Sequence, residues 1–473
     1  MEAIMNIIGF LNDNIVWGLP MIILMIGTGL YMTVLTKGTM FTKFNIMMRY
    51  TAKTLFQKVD KAALDEGAIT PFQAVCTALA ATVGTGNIVG VAVAIATGGP
   101  GAVFWLWVSA LIGMVIKYCE VSLSLAYRTT NDKGEIVGGP MYYIEKGMGK
   151  KWLALLFAFF GGMASFGIGA SVQANALAGG LNATFGIDTR IIGVVVAIMG
   201  ALIFIGGIKR IANVTEFLVP FMSILYIGGS LIALAVNVTE IPAAFALIFH
   251  DTFTGSAAVG GFAGATVMYA ARIGIARGVF THEAGMGSAP IAHASAYNDH
   301  PARQGLWGAM EVFFDSIVMC TITALVILTS GLWTDAAYVN DGRGMSATAF
   351  ENAFPFGQYI VTIGLVLFAF ATIVAWYYYG EKCIEYLFKG NKISIRVYQV
   401  VYTVMVYVGC VASLDAVWEF ADLFNGLMAI PNLIAMIALA GTVKKLNDDF
   451  FADPDTKRPK GMSFDHLIKI AKK

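Results

Sequence analysis

Long apolar runs recur along the whole 473-residue chain, and they constrain its fold more than any other feature of the sequence. A bilayer core about 30 Å thick needs roughly 20 apolar helical residues, because lipid offers the backbone no hydrogen-bond partner. The chain is 58% hydrophobic and only 13% charged, and its mean hydropathy is +0.72. These values exclude a soluble enzyme of ordinary type and predict an all-α, polytopic membrane protein.

Eleven transmembrane helices are predicted when the sequence is divided at its charged residues. The predicted spans are residues 15–36, 72–98, 100–127, 152–183, 190–207, 213–236, 255–298, 303–332, 355–380, 397–413 and 416–442. The first span has full spanning length, and residues 1–13 contain no Lys or Arg. We therefore expect residues 1–36 to be retained as an extra N-terminal helix and not cleaved as a signal peptide.

Positive charge is distributed unevenly between the two sides of this map. Of the 31 Lys and Arg residues, 26 fall on one side and only Arg190 and Arg343 fall in loops on the other. Short cytoplasmic loops collect Lys and Arg. This predicts a cell (inner or plasma) membrane protein with its N-terminus outside, an interfacial segment at 37–71 on the inner leaflet, and a cytoplasmic tail at 443–473.

Bulk charge and short motifs exclude several function classes. The net charge of +1 indicates no nucleic-acid partner, and no obligatory protein partner is indicated. The five cysteines lie singly, so we expect reduced packing residues. The segment that begins at Gly84 has the wrong spacing for a dinucleotide fingerprint, and Met286 stands where a zinc-protease motif starting at His282 needs its second His. No cofactor, no metal other than a coupling ion and no enzymatic activity are expected.

Two predicted spans contain more glycines than is usual in straight helices. Residues 84–101 contain six glycines. The 44-residue seventh span contains Gly255, Gly260, Gly261, Gly264, Gly274, Gly278, Gly285 and Gly287. Such segments are either broken helices or helices packed closely through pairs of small residues. Beyond the extra helix, each group of five spans starts with one of them, which predicts a transporter with inverted repeats at 72–236 and 255–442 and a site at the two breaks.

Longer motifs give a family resemblance. The segments LAATVGTGNIVGVAVAIATGGPGAVFWLWVSALIGMVIKYCE, GGPMYYIEKG and RGVFTHEAGMGSAPIAHA, with SVQANA and AWYYYGEK, resemble the alanine or glycine:cation symporter family from about Pro71 to Lys382. The resemblance implies a five-plus-five inverted-repeat fold of the leucine-transporter type. It also implies sodium-coupled import of small neutral amino acids, alanine or glycine, by alternating access. The alternatives are a proton-coupled transporter that uses Glu311 and Asp315, and an amino-acid-permeable channel.

Substrate-binding residues are expected at the two breaks and on the helices beside them. The half-helix after Gly84 begins with unpaired N–H groups and partial positive charge, which suit an amino-acid carboxylate. The candidates are Thr85, Gly86 and Asn87 in the first break, Gln173 on span four, Gly274, Ile275 and Gly278 as the second break, and Trp376 as a pocket wall. A bond between helices is the alternative for Gln173, and simple packing is the alternative for Trp376.

Sodium-binding residues follow from the resemblance. By similarity to the sodium site that the leucine-transporter fold shares, the ligands are the carbonyls of Ala80 and Val83 and the hydroxyl of Thr372, while Thr82 is a candidate for a second ion. The alternative for Thr372 is a hydrogen bond back to its own helix.

Several charged residues lie inside the predicted spans and need partners. Lys117 and Glu120 share one face of span three, and Arg272, Arg277 and Glu283 lie on span seven. They are interpreted either as gating ion pairs or as structural pairs.

Overall fold

The computed structural model describes residues 2–54, 68–254, 267–338, 342, 344–412, 414–456, 464–468 and 470. This part of the chain is almost entirely helical, as predicted, and its strands are a short antiparallel pair, Thr129–Thr130 and Ile136–Val137. The five cysteines are buried and unbridged, as expected.

The helices used below are numbered in chain order. They are α1 (Ile7–Leu35), α2 (Pro71–Thr82), α3 (Gly86–Gly98), α4 (Gly101–Ala126), α5 (Lys151–Phe185), α6 (Thr189–Phe204), α7 (Gly207–Val236), α8 (Ile241–Thr254), α9 (Val267–His282), α10 (Ala289–His293), α11 (Pro301–Ser330), α12 (Gly357–Leu387), α13 (Lys392–Val411), α14 (Leu414–Ala438) and α15 (Ala440–Ala452). Shorter helices at Thr39–Thr42, Phe44–Tyr50, Pro140–Tyr143 and Met345–Ala353 lie in the connections.

Eight helices in the described ranges are long and apolar enough to cross a membrane: α1, α4, α5, α7, α11, α12, α13 and the Trp418–Ala438 part of α14. The pair α2 and α3, bent by 51°, adds a ninth when it is counted as one span. The predicted span at 190–207 corresponds to α6, which is apolar but has only 16 residues. Residues 255–266 of the seventh span, with Gly255, Gly260, Gly261 and Gly264, lie outside the described residues. Eleven spans therefore remain a prediction.

The first predicted break is confirmed. Helix α2 starts at a capping box, in which Thr70 and Gln73 exchange side-chain and backbone hydrogen bonds, and Pro71 occupies the first turn. It ends at Thr82, and the chain resumes as a π-helical turn at Gly86–Gly90 before α3 continues. The interruption falls where the sequence concentrates its glycines.

The second break lies elsewhere than predicted. Helix α9 runs without interruption through Gly274, Ile275 and Gly278, so the prediction of a break at these residues is wrong. The helix ends at His282, and the chain then turns through Glu283, Gly285 and Gly287, all with positive φ, before α10 begins. Left-handed backbone of this kind stops a helix, and glycine adopts it without steric penalty.

Close packing explains the glycines inside α9. A Cβ added at Gly274 would lie 2.2 Å from the carbonyl oxygen of Ala102, and one at Gly278 would lie 2.3 Å from Oγ of Ser109. Both contacts are with α4, so these glycines bring two backbones together as small residues do between membrane helices. At Gly274 and Gly278 the glycines therefore serve close helix packing, which was the alternative to a broken helix.

Two helices organise the interior of the bundle. Helix α4 packs against α9 and α11, and α12 packs against α2, α5 and α7. In contrast, α6 exposes Ile191, Val195, Ile198 and Leu202. An apolar outer face of this kind matches lipid as its solvent.

The segment between α1 and α2 is described as far as Thr54, where it packs beside the C-terminal helix. Arg49 forms a 3.1 Å salt bridge with Asp455, and Lys43 donates to the carbonyl of Phe451. Residues 55–67 of the predicted interfacial segment lie outside the described residues.

Candidate functional site

The first break is held together by Asn87. Its side-chain oxygen accepts a hydrogen bond from the Gly84 N–H at 2.9 Å, and its side-chain nitrogen donates to a carboxylate oxygen of Asp315 at 2.7 Å and to the Asp315 carbonyl. Asp315 lies in a π-helical turn of α11. Asn87 is one of the predicted substrate residues, and in this structure its amide group joins the break to α11.

The predicted sodium residues come together at the end of α2. The Thr372 hydroxyl of α12 lies 2.9 Å from the Ala80 carbonyl oxygen and 3.0 Å from the carbonyl oxygen of Phe368 in its own helix. All three residues are buried, and so is Val83, which caps α2. A hydroxyl has one proton and donates to one carbonyl at a time. Thr372 therefore lies close enough to Ala80 to share an ion with it, and the hydrogen bond back to its own helix, which was the alternative, is also available.

Gln173 joins the same cluster. Its side-chain oxygen accepts a hydrogen bond from the Thr85 N–H at 3.4 Å, and its nitrogen donates to the Ile168 carbonyl. A Cβ at Gly84 would lie 2.8 Å from the Thr372 hydroxyl and 3.3 Å from the Gln173 oxygen. The absence of a side chain at Gly84 thus lets α5 and α12 both reach the break.

One polar atom in the first break has no partner. The Thr85 hydroxyl is fully buried and makes no hydrogen bond within the described part of the chain. Burying a hydroxyl without a partner costs roughly 1–3 kcal/mol. It is therefore a group to which a bound ligand would supply the missing bond.

The end of α9 completes one side of the break. A Cβ at Gly86 would lie 2.6 Å from the Thr281 methyl carbon and 3.4 Å from the Phe280 ring. The Thr281 hydroxyl also lies 3.4 Å from that of Ser316, which donates to Asp315. The first break therefore meets the last turn of α9, whereas Gly274 and Gly278 contact α4.

Trp376 lies one turn beyond Thr372 on α12 and reaches the second break. Its indole N–H donates to the Glu283 carboxylate at 2.9 Å, and a Cβ at Gly169 would lie 2.4 Å from the Trp376 Cβ. The ring therefore packs closely on the π-helical turn of α5, as the packing alternative expected, while its polar atom reaches the second break.

Asn432 was missed by the sequence reasoning. Its side-chain nitrogen donates to Glu120 at 2.6 Å and to the Gly285 carbonyl at 2.8 Å, while the Gly285 N–H donates to Glu120 at 2.8 Å. Tyr143 donates to the Asn432 oxygen. The signal that could have found Asn432 is an amide side chain in the middle of an otherwise apolar span.

The buried charges form pairs between helices. Lys117 of α4 lies 3.4 Å from Glu311 of α11, and Glu311 lies 3.1 Å from His293 of α10. The second His293 nitrogen lies 2.8 Å from the side-chain amide nitrogen of Gln304. These pairs tie α10 to α4 and α11. No group of three or more His, Cys, Asp or Glu side chains suited to a metal occurs in the part of the chain that the structure describes.

The groups available for binding a ligand at the two breaks are mainly backbone and hydroxyl groups. Helix α2 presents carbonyl oxygens and α3 presents N–H groups, which are suited to a weakly coordinated cation and to a carboxylate respectively. Groups of this kind are suited to a small molecule or ion that carries charge.

Comparison with known sequences gives a full-length match. The sequence model of the sodium:alanine symporter family matches residues 1–464. The chain is 46% identical over 446 residues to the sodium/alanine symporter AgcS of Methanococcus maripaludis, which covers 93% of this chain and 96% of that protein. It is 39% identical to the probable sodium/glutamine symporter GlnT of Bacillus subtilis, with 93% and 90% of the two chains covered.

Two solved structures are similar in fold. MhsT in complex with L-phenylalanine matches with a TM-score of 0.54 at 14% sequence identity, with 83% of this chain and 91% of that chain covered. A Na+-coupled sialic acid symporter in a substrate-bound outward-open state matches with a TM-score of 0.52 at 13% identity, with 91% and 86% covered. At this level of identity the likeness is one of fold alone.

Proposed function

The chain belongs to the sodium:alanine symporter family, and from that premise we propose that it imports alanine or glycine together with sodium by alternating access. The observation that carries this proposal is the contact of the Thr372 hydroxyl with the Ala80 carbonyl at 2.9 Å, across the end of α2. It supports a cation site at the first break, because hard cations take oxygen ligands and a half-helix end supplies unpaired carbonyls.

In this proposal sodium lies between the carbonyls of Ala80 and Val83 and the hydroxyl of Thr372. The ion would accept the lone pairs of these oxygens, so the Thr372 proton would turn to Phe368, to which it already has a 3.0 Å path. Thr82, whose hydroxyl bonds back to the Ala78 carbonyl, is the candidate for a second ion.

In this proposal the amino acid lies beside the sodium ion, at the start of α3. Its carboxylate would approach the N–H groups at Thr85 and Gly86 and complete the unpartnered Thr85 hydroxyl. Gln173 and Trp376 would bound the pocket and Asn87 would hold its shape. The last turn of α9 would close it at Phe280 and Thr281, whereas Gly274 and Gly278 pack against α4. Large closely packed side chains around glycine-lined backbone favour a small substrate.

Alternating access would come from the two breaks. In the proposed five-plus-five arrangement, 72–236 and 255–442 are the repeats, and α2 and the turn between α9 and α10 are the segments that move. Residues 1–36 would stand outside the repeats.

A proton-coupled mechanism is the second candidate, because Asp315 contacts the first break directly through Asn87 at 2.7 Å. A curated relative from Bacillus subtilis, 37% identical with 90% of this chain and 89% of that protein covered, is named as a putative sodium/proton-dependent alanine carrier protein. In this case the Asp315 or Glu311 carboxylate would bind and release the coupled proton.

Binding of labelled alanine as a function of sodium concentration tests the sodium proposal. We expect Thr372→Ala to raise the sodium concentration for half-maximal binding about tenfold, equivalent to ~1.4 kcal/mol, because one oxygen ligand is lost. Thr372→Ser keeps the hydroxyl and should remain close to the parent protein.

Thr362→Ala is the matched control, since Thr362 lies on the same helix and its hydroxyl contacts that of Thr184 instead of the break. Unchanged sodium dependence in Thr372→Ala, with folded protein, would remove Thr372 from the ion site. Alanine binding that ignores sodium but follows pH would favour the carboxylates.

A further inference from the structure

A cavity of about 240 Å³ lies outside the cluster at the first break, between α1, α9 and α14. Its lining includes Asn12 of α1, Arg277 and Phe280 of α9, and Glu419 and Asp422 of α14. This space is large enough for several water molecules or for one small organic molecule. It is below the ~300–1,000 Å³ typical of sites for drug-sized ligands.

Arg277 and Asp422 carry opposite charges and line this cavity without forming a salt bridge with each other. Among the described residues, neither the Arg277 guanidinium nor the Asp422 carboxylate forms a salt bridge or a side-chain hydrogen bond. Both are partly buried, and both line the same space. Groups of opposite charge that face one cavity without touching are suited to a ligand that carries both charges.

The N-terminal helix supplies one wall and a further acceptor. The Asn12 side-chain nitrogen donates to the Glu419 carboxylate at 2.7 Å and to its carbonyl at 2.9 Å, and the Trp17 indole donates to the Asp422 carbonyl. These bonds leave the Asn12 side-chain oxygen buried without a partner in the described part of the chain. Asn12 itself is only 7% exposed.

An aromatic layer separates this cavity from the first break. Phe280 and Trp418 are stacked with ring centroids 5.0 Å apart, and the Arg277 guanidinium lies 5.4 Å from the Trp418 ring centroid. Phe280 lines the cavity and also approaches Gly86, as described above. The Phe280 side chain therefore lies between the cavity and the proposed central site.

We propose that this cavity is a second binding site for the zwitterion of a small neutral amino acid, occupied before the molecule passes Phe280. The carboxylate binds Arg277, while Arg272 adds positive charge to the same lining. The ammonium has three donors, and the carboxylates of Asp422 and Glu419 with the free Asn12 oxygen provide three acceptors. The extra N-terminal helix thus acts as part of the binding surface. This inference rests on the proposed transport of amino acids.

The number of labelled alanine molecules bound per chain tests the inference, using the full-length protein in detergent with saturating sodium. We expect two per chain in the parent protein and one per chain in both Arg277→Gln and Asp422→Asn, with at least a tenfold rise of Kd at the lost site. Arg277→Lys should retain two, because it keeps the positive charge. Arg190→Gln, in an exposed position at the start of α6, is the matched control and should also retain two.

Ligand chemistry gives a second readout that loss of folding would not mimic. Ethylamine and propionate, which each lack one charge of alanine, should fail to displace alanine from this site, whereas glycine should displace it. One alanine per chain in the parent protein would overturn the inference and leave the central site in place. Two per chain in both Arg277→Gln and Asp422→Asn, or displacement by propionate alone, would also overturn it. No alanine bound under any condition would overturn the proposed function itself.

Discussion

At the scale of single residues, Gly84 is where three parts of the chain converge. The space of its missing side chain is taken by the Thr372 hydroxyl and the Gln173 amide. We expect Gly84→Ala to push both groups out of position and to lower alanine affinity about 10–100-fold, the effect of ~1–3 kcal/mol of overpacking. Equilibrium binding of labelled alanine measures this effect.

Gly90 provides the control for that substitution. It lies in the same π-helical turn as Gly86, and a Cβ added there would meet nothing within 4 Å. Gly90→Ala should bind alanine like the parent protein. Equal alanine affinity in Gly84→Ala and Gly90→Ala would show that alanine binding does not depend on the positions of Thr372 and Gln173 in this structure.

Some residue partners could not be predicted from the sequence. Lys117 and Glu120 lie one turn apart on α4, yet Lys117 pairs with Glu311 and Glu120 binds Gly285 and Asn432. Spacing along one helix identifies residues that share a face. It does not say which other helix packs against that face.

At the scale of elements, the turn between α9 and α10 depends on Glu120 of a neighbouring helix. Glu120→Ala would leave the Gly285 N–H and one Asn432 donor without their acceptor. Each unsatisfied buried donor costs about 1–3 kcal/mol. We therefore expect a lower Tm in detergent and slower sodium-driven alanine uptake.

Two further variants separate the role of Glu120 from a general loss of charge. Glu120→Gln keeps an acceptor oxygen and should recover most of the Tm, while Glu240→Ala, at an exposed position before α8, should change neither quantity. A Glu120→Ala protein with the Tm of the parent would contradict the role given to this carboxylate.

Glycine content predicted one break correctly and misplaced the other. Around Gly84 the glycines coincide with the end of α2, whereas Gly274 and Gly278 lie inside an intact helix pressed against α4. Glycine is used both to end a helix and to bring helices together, and a single sequence does not distinguish these uses. Gly285 and Gly287, at the actual second break, belong to the same cluster of glycines.

At the scale of the whole molecule, hydropathy predicted most of the membrane-length helices, because lipid requires long apolar segments whatever their packing. The helices α4, α5 and α11 begin and end within two residues of their predicted limits. The fold as a whole is similar to those of MhsT and of a Na+-coupled sialic acid symporter. The five-plus-five repeat remains a prediction.

A sodium-coupled symporter accumulates its substrate against a concentration gradient, and the proposed function therefore requires concentrative uptake of alanine. Uptake of labelled alanine into sealed proteoliposomes measures it under an inward sodium gradient, under equal sodium on both sides, and under an inward proton gradient alone. We predict accumulation above the external concentration only under the sodium gradient. Accumulation under the proton gradient alone, or equilibration without accumulation in all three conditions, would contradict the sodium-coupled mechanism.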